Sequence, residues 1–287
     1  MYKGWLLVNT FMNLEKFQNL YQMLELSFRK RGVILSVKTA EDISLEVGFK
    51  LAKKPDFVIF WDKDYYLAHA LENQGIRLFN SAEAIAYSDN KILMYQKLKE
   101  NGIKIPRTFV APKTFEGINY NKRSFLQQVI NEIGFPLIVK EAYGSFGDQV
   151  YLAKNEIELN AIVDLIGYKD FLLQEFIASS YGRDVRINVV GNNAVVSMYR
   201  ENKNDFRSNI SSGGSGVACD PRSDYLALAI KATKVLKLDF AGVDVLFGEH
   251  DEPIICEVNS NPQFASTLKA TGVDLADYIC QYIIKNL

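Results

Sequence analysis

PIICEVNSNPQF, residues 253–264, is an apolar run that closes on one carboxylate and two amides before a proline interrupts it. In a strand, alternation puts Glu257, Asn259 and Asn261 on one face and Cys256, Val258 and Ser260 on the other. Such a ladder fits either an exposed sheet edge or a set of oxygen ligands. Just upstream, FAGVDVLFG (residues 240–248) buries Asp244 in a second apolar run. An unpaired carboxylate there costs several kcal/mol. A neighbouring strand carrying Glu257 and Asn259 adds repulsion unless a hard cation lies between them. Oxygen-only donors suit Mg²⁺, which is commonly held by one or two protein carboxylates together with substrate phosphates. The expectation is a nucleotide–Mg²⁺ site.

Composition narrows the classes. The chain has 287 residues, 48% hydrophobic and 23% charged, enough for two or three modest domains with cores of their own. A net charge of −1 without a basic block argues against nucleic acid as the main partner. The sequence holds no 18-residue apolar run, and MYKGWLLVNTFMNLEKF turns acidic too early for a signal peptide, so no membrane partner is expected. Cys219, Cys256 and Cys280 are scattered without metal spacing, and their odd number suggests reduced thiols in the cytoplasm. His69 and His250, the only histidines, lie far in sequence from any candidate nucleophile and read as surface residues. Histidine-base or zinc chemistry is poorly supported.

The first third alternates strand and helix patterns: WLLVNT, a helix from Leu14 to Lys30, GVILSV, PDFVIFWD, a helix from Tyr65 to Asn73, and GIRLFN. This predicts a small parallel α/β layer. A helix is expected from Ser88 as N-cap to Gly102 just past its end. IPRTFV then opens a second unit, with a helix near Phe125–Glu132 and a strand, glycine loop and strand in GFPLIVKEAYGSFGDQVYLA. The last portion is strand-rich: FLLQEFI, DVRINVVG, NAVVSMYR, DFAGVDVLFG and PIICEV, with helices near Asp224–Leu236 and Asp274–Ile284. The class is therefore α/β, turning to α+β toward the C-terminus.

In KEAYGSFGDQV, Gly144 and Gly147 flank Ser145 and Phe146, so bare backbone amides can fold over phosphates. A glycine hairpin turn fits the same residues. Lys140, at the end of FPLIVK, could meet a phosphate as a compact charge. Neither common phosphate motif is present, so the site must be of another kind.

Eight segments carry a resemblance in order: SDNK (88–91), GFPLIVK (134–140), GSFG (144–147), LLQEFI (172–177), GRDVR (182–186), DFRSNISSGG (205–214), GVDVLF (242–247) and EVNSNP (257–262). Together they resemble the ATP-grasp superfamily, in the branch of ribosomal-protein S6 glutamate ligase and the lysine-biosynthesis carrier-protein ligases. The resemblance runs from about Ser81 to the end of the sequence. It implies an N-terminal parallel α/β domain (1–88), a central subdomain with a phosphate-covering loop (89–174) and a C-terminal subdomain with metal ligands (175–287). The nucleotide would lie between the last two.

By that resemblance, Lys91 and Lys140 hold nucleotide phosphates beneath the GSFG loop, and Gln174, Glu175, Phe176 and Ile177 form the adenine hinge. Asp184 would touch the ribose, while Asp244, Glu257 and Asn259 would bind Mg²⁺ or Mn²⁺, with two ions expected. Arg207 and Asn209 would approach the transferred phosphate, and Arg186 and Arg200 the substrate. The implied reaction joins a carboxylate donor and an amine acceptor through an acyl phosphate, with an amino acid such as glutamate as one partner. A homo-oligomer is implied too. ISSGGSG lacks the basic residue that some relatives carry before the paired glycines, so the acceptor pocket is expected to differ. An ATP-grasp kinase, with Asp205 as base, and a non-catalytic nucleotide-binding module stay open as alternatives.

Overall fold

Strand-forming runs bounded by glycine and polar breaks build three sheets, and the computed structural model shows how they meet. It describes every residue except 1, 13–14, 45, 146 and 211–212, and not the side chain of residue 16. Phe146 and the expected helix start at Leu14 therefore lie outside the described residues, as do two serines of the DFRSNISSGG segment.

The first sheet is parallel, with β1 (Lys3–Val8), β2 (Ile34–Lys38), β3 (Phe57–Trp61) and β4 (Leu78–Phe79) in the order β2-β1-β3-β4. FVIFW is buried along its whole length, as a central parallel strand requires. The order steps out to β2 on one side of β1 and then to β3 on the other. That makes a switch point at the carboxyl ends of β1 and β3, where Val8 lies beside Trp61.

α1 (Glu15–Arg29) repeats Phe17, Leu20, Leu24 and Phe28 at helical spacing. These residues share one core with Leu275, Ile279 and Ile283 of α9 (Leu275–Lys285), so the C-terminal helix completes the N-terminal layer. α2 (Tyr65–Glu72) covers the other side of the sheet through Leu67, Ala68 and Leu71.

The expected single helix after residue 88 is a pair. α3 (Ala82–Asp89) is capped by Ser81, and α4 (Lys91–Glu100) by Asn90, whose Oδ1 accepts from Ile92 N at 2.9 Å and Leu93 N at 3.2 Å. Ser88 is not the cap, because its hydroxyl turns back into α3 and donates to Ala84 O at 2.9 Å. The predicted stop holds: Gly102 N bonds Lys99 O and Ile103 N bonds Leu98 O, with Gly102 at φ 65°.

The second sheet is antiparallel, β5 (Thr108–Val110), β6 (Leu137–Glu141), β7 (Val150–Ala153) and β8 (Phe171–Glu175), ordered β5-β8-β6-β7. It packs on α5 (Ser124–Ile133) and α6 (Glu156–Ile166). The third sheet takes β9 (Arg183–Val190), β10 (Asn193–Glu201), β11 (Ser215–Ala218), β12 (Phe240–Phe247) and β13 (Pro253–Asn259) in the order β11-β10-β9-β12-β13. Val185, Ile187, Val189, Ala241, Val243 and Val245 face α4 and α7 (Ser223–Val235). Period-two alternation therefore sends Asp184, Arg186, Asn188 and Asp244 to the opposite, polar face.

Asn80 joins the units. Fully buried, it accepts from Asp239 N at 2.6 Å and donates to Phe240 O at 3.1 Å and Ser260 O at 3.0 Å. Among the described residues no helix is long and apolar enough to cross a membrane. His69 and His250 are both exposed, as their sequence context suggested.

Candidate active site

The polar face of the third sheet borders two adjoining clefts. The first lies between the second and third sheets. Its lining includes Lys91, Lys140, Gly144, Ser145, Gly147, Gln174, Glu175, Phe176, Ile177, Asp184, Arg207, Asn209, Asp244 and Glu257. Thus every described residue expected to hold the nucleotide meets in one place. The second cleft lies between the first and third sheets and includes Asn9, Trp61, Asp62, Arg186, Asn259 and Asn261. Glu257, Arg200, Ser145 and Asn209 belong to both, so they form the common wall.

Lys140 is the penultimate residue of β6 and is buried, with its Nζ donating to Tyr95 Oη at 2.8 Å and lying 4.0 Å from Cys256 Sγ. Burial opposes the ammonium, and ionised Cys256 and Tyr95 would favour it. Burial pushes Cys256 up to about 11 and Tyr95 up to about 12, so both are neutral near pH 7. Among the described residues no carboxylate pairs directly with Lys140, which leaves a buried cation suited to a phosphate. Lys91, the first residue of α4, donates to Gly144 O at 3.0 Å and stands 3.6 Å from Glu257 Oε1. It thereby links the glycine loop to the wall.

The loop is held from above. Arg207 forks onto Asp205, Nε to Oδ1 at 3.0 Å and Nη2 to Oδ2 at 2.8 Å, and gives its Nη1 to Gly147 O at 2.7 Å. Gly147 has φ 82°, and a Cβ there would meet Arg207 Cδ at 3.3 Å, so a side chain would push the arginine away. Hydrogen bonding from Arg207 holds the Asp205 carboxyl below its ordinary range. A carboxylate so bound is a weak base.

β13 departs from simple alternation. Asp244 pairs with Glu257 and Val245 with Ile255, so Cys256 is the extra residue of a bulge. As a result Cys256 and Glu257 both line the first cleft, where alternation had put them on opposite faces. Glu257, Asn259 and Asn261 all line the second cleft, and so does Ser260, which alternation had put on the other face.

Asp244 is not the unpaired carboxylate that its apolar run suggested. Arg186 Nη2 donates to Oδ2 at 2.8 Å, Arg186 Nε reaches Oδ1, and Arg200 Nη2 stands 2.8 Å from Oδ1. Burial raises the Asp244 carboxyl, but Arg186 and Arg200 outweigh it and hold the group below its ordinary range. Arg200 also forks onto Asp184, with Nε to Oδ1 at 2.8 Å. The two arginines expected at the substrate thus stand on the carboxylates expected at the ribose and the metal. Sequence patterns could not show this, because partners on β9, β10 and β12 are 16 and 58 residues apart.

The donor set fits a hard divalent cation. Asp244 and Glu257 lie opposite each other, and Asn259 beside Gly242 gives its Nδ2 to Gly242 O at 3.5 Å, which leaves its oxygen as the atom that could ligate a metal. The described residues contain no group of three or more His, Cys, Asp or Glu side chains able to hold an ion. Two carboxylates and an amide suit a metal that completes its shell with water and nucleotide phosphate.

The model of the RimK-like ATP-grasp domain family matches residues 88–283. The chain is 33% identical over 270 residues to the uncharacterized MG012 homolog of Mycoplasma pneumoniae, covering 93% of each. It is 35% identical over 218 residues to a probable alpha-L-glutamate ligase of Stutzerimonas stutzeri, covering 75% of this chain and 69% of that one. With human N-acetylaspartylglutamate synthase A it shares 29% identity over 281 residues, covering 92% and 70%. Its fold matches the crystal structure of a RimK domain ATP-grasp protein from Sphaerobacter thermophilus with a TM-score of 0.74 at 20% identity, covering 98% and 99%. The chain belongs to the RimK-like ATP-grasp family and is an ATP-dependent ligase.

Proposed function

We propose that this ligase joins the amine of an amino acid, glutamate foremost, to a carboxylate of a small molecule, peptide or protein through an acyl phosphate. ATP occupies the first cleft with Mg²⁺, or Mn²⁺ in its place, as two ions at Asp244, Glu257 and Asn259. We divide the chain into units 1–88, 89–174 and 175–287, a reading supported by the presence of three sheets; β8 runs one residue past 174, α4 packs with the third sheet and α9 with the first. Of the relatives described above, one is named a probable alpha-L-glutamate ligase and another N-acetylaspartylglutamate synthase A.

The wall shared by the two clefts carries this reading. Ser145, Arg200, Asn209 and Glu257 face both the nucleotide side and the side lined by the N-terminal sheet. A substrate carboxylate in the second cleft meets the γ-phosphate at that wall, displaces ADP and becomes an acyl phosphate. The substrate ammonium gives up a proton to solvent, the free amine attacks the carbonyl carbon, and the departing phosphate takes up the second N–H proton as the amide forms. A carboxylate needs no base, so the residues mainly align groups and offset charge. Lys140 and Lys91 receive phosphate oxygens, and Arg207 holds the glycine loop over the reacting centre and excludes water. The bound metal, as a Lewis acid, supplies neutralisation of charge on the transferred phosphoryl group.

A kinase would need a base for its hydroxyl, and Asp205 is committed to Arg207 on both oxygens. Measuring ADP, free phosphate and amide together against amino-acid and carboxylate mixtures tests the assignment. Free phosphate and amide, formed only when both substrates are present, are expected. A phosphorylated product without free phosphate would make the protein a kinase, and no turnover at all would make it a binding module.

A further inference from the structure

We infer that Asp62 receives the ammonium group of the amine substrate in the second cleft. The inference rests on the ligase reading and goes beyond it by naming where the amine is recognised.

Position gives the first reason. Asn9 and Asp62 directly follow β1 and β3, at the switch point of the parallel sheet. In open α/β sheets the crevice beyond those carboxyl ends is where ligands bind. Asn9 Nδ2 donates to Asp62 Oδ1 at 3.1 Å and Oδ2 at 3.4 Å, and Lys63 N donates to Oδ1 at 2.6 Å, so the carboxylate is held in place.

Charge gives the second. Asp62 is 7% exposed. Other charges lining this cleft have opposite partners: Arg186 and Arg200 on Asp244, Lys63 on Asp89 at 2.7 Å, and Glu257 beside Lys91 at 3.6 Å. Among the described residues no cationic side chain pairs with Asp62. Burial pushes its carboxyl above the ordinary range, against the lowering hydrogen bonds from Lys63 N and Asn9. A buried carboxylate without a counter-ion is costly, and a substrate ammonium would supply one.

Unsatisfied polar atoms give the third. Asn261 Nδ2 donates to the Asp62 carbonyl at 3.3 Å, while its Oδ1 is buried without a hydrogen-bond partner. Trp61 Nε1 is buried and unpartnered as well, in a ring fixed by stacking on Phe240 at 5.5 Å. Buried orphans are few in native proteins and call for an explanation. A zwitterionic amino acid brings both what the asparagine oxygen lacks, an N–H, and what the indole lacks, an oxygen.

The phosphate-release screen first identifies the amine, expected to be L-glutamate. Steady-state kinetics of Asp62→Asn then give at least a tenfold rise in KM for that amine, with KM for ATP and for the carboxylate donor unchanged. The amine-free analogue, glutarate for glutamate, should inhibit parent and variant equally, or the variant better. A merely structural defect would weaken both ligands. Asp62→Glu, which keeps the charge, should lie closer to the parent than Asp62→Asn. An unchanged amine KM, an equal loss for glutarate, or a rise confined to the carboxylate donor would overturn the assignment. If Asp62→Asn does not fold, Asn9→Ala loosens the carboxylate without discharging it, and the same two ligands decide. Should no amine provoke phosphate release from the parent, the ligase reading itself fails, and this inference with it.

Discussion

Arg200 Nη2 stands 2.8 Å from Asp244 Oδ1 while the same guanidinium forks onto Asp184, so one buried arginine bridges two carboxylates of the nucleotide cleft, and Arg186 on Asp244 supplies the second positive charge. Before any metal arrives, these carboxylates are already compensated. A cation entering at Asp244 competes with Arg186 and Arg200, and nucleotide phosphate is what those arginines can turn to in exchange.

Arg200→Gln should therefore act in two ways. It leaves Asp184 and Asp244 without their shared partner, a loss of about 3 to 5 kcal/mol in denaturant unfolding. It should also let Mn²⁺ bind without nucleotide at least about tenfold more tightly than in the parent, about 1.4 kcal/mol, as read by electron paramagnetic resonance titration. Unchanged Mn²⁺ affinity in a folded variant would show that the pairing does not restrain the metal ligands.

Glu257 borders both clefts and its side chain is 29% exposed, so it is little needed for folding. Glu257→Ala is expected to unfold like the parent yet lose at least about 2 kcal/mol of transition-state stabilisation, roughly thirtyfold in turnover at saturating Mg²⁺. Equal turnover would remove Glu257 from the metal site.

Lys140 of β6 offers a cleaner separation of binding from stability. Lys140→Met removes a buried cation that no carboxylate among the described residues contacts directly, and puts an apolar chain of similar length in its place. ATP affinity by calorimetry should fall at least about tenfold, a loss of about 1.4 kcal/mol, whereas the unfolding midpoint should hold or rise. Unchanged ATP binding would place the phosphates elsewhere.

How legible this was depended on the range of the interaction. Helix ends and strand periodicity are local, and the helix stop at Gly102 and the parallel first layer followed from nearby residues. Ser88 misled because Asn90, two residues on, offers a better-placed acceptor, and nothing in the run distinguishes them. The bulge at Cys256 is set by pairing with β12, which a single strand's sequence cannot reveal. The same holds for the arginines on Asp244. One signal was available and unused: Asp62 closes the apolar run PDFVIFWD, an acid in apolar surroundings much as Asp244 is within FAGVDVLFG.

The cysteines respond to pH in a defined direction. Burial pushes Cys256 and Cys280 up to about 11 and raises Cys219 as well. An acid with a raised value stays protonated below it, so all three thiols should alkylate slowly at pH 8 and faster as pH climbs toward 11. Cys256 lines the nucleotide cleft, so ATP should suppress its modification alone, as read by peptide mass spectrometry. Rapid labelling of Cys256 at pH 8 would contradict its burial beside Lys140.

Arg207 is the group expected to act on the reacting centre after nucleotide is bound. Its fork spans Asp205 and the Gly147 carbonyl, joining the segment after β10 to the glycine loop. Gly182 secures that segment from below: its N donates to Phe206 O at 2.9 Å, its O accepts from Asn202 N at 2.7 Å, and a Cβ there would lie 2.2 Å from Asn202 O. Lysine keeps the charge at 207 but cannot make three directed bonds from one planar head. Arg207→Lys should therefore bind ATP nearly normally while kcat and kcat/KM fall together at least about tenfold, a deficit of about 1.4 kcal/mol or more. Gly182→Ala, which displaces the segment without touching the arginine, should show the same pattern together with some loss of stability. If Arg207→Lys instead loses ATP affinity and keeps kcat at saturation, Arg207 is a ground-state nucleotide contact, and the reacting carboxylate does not lie beside it.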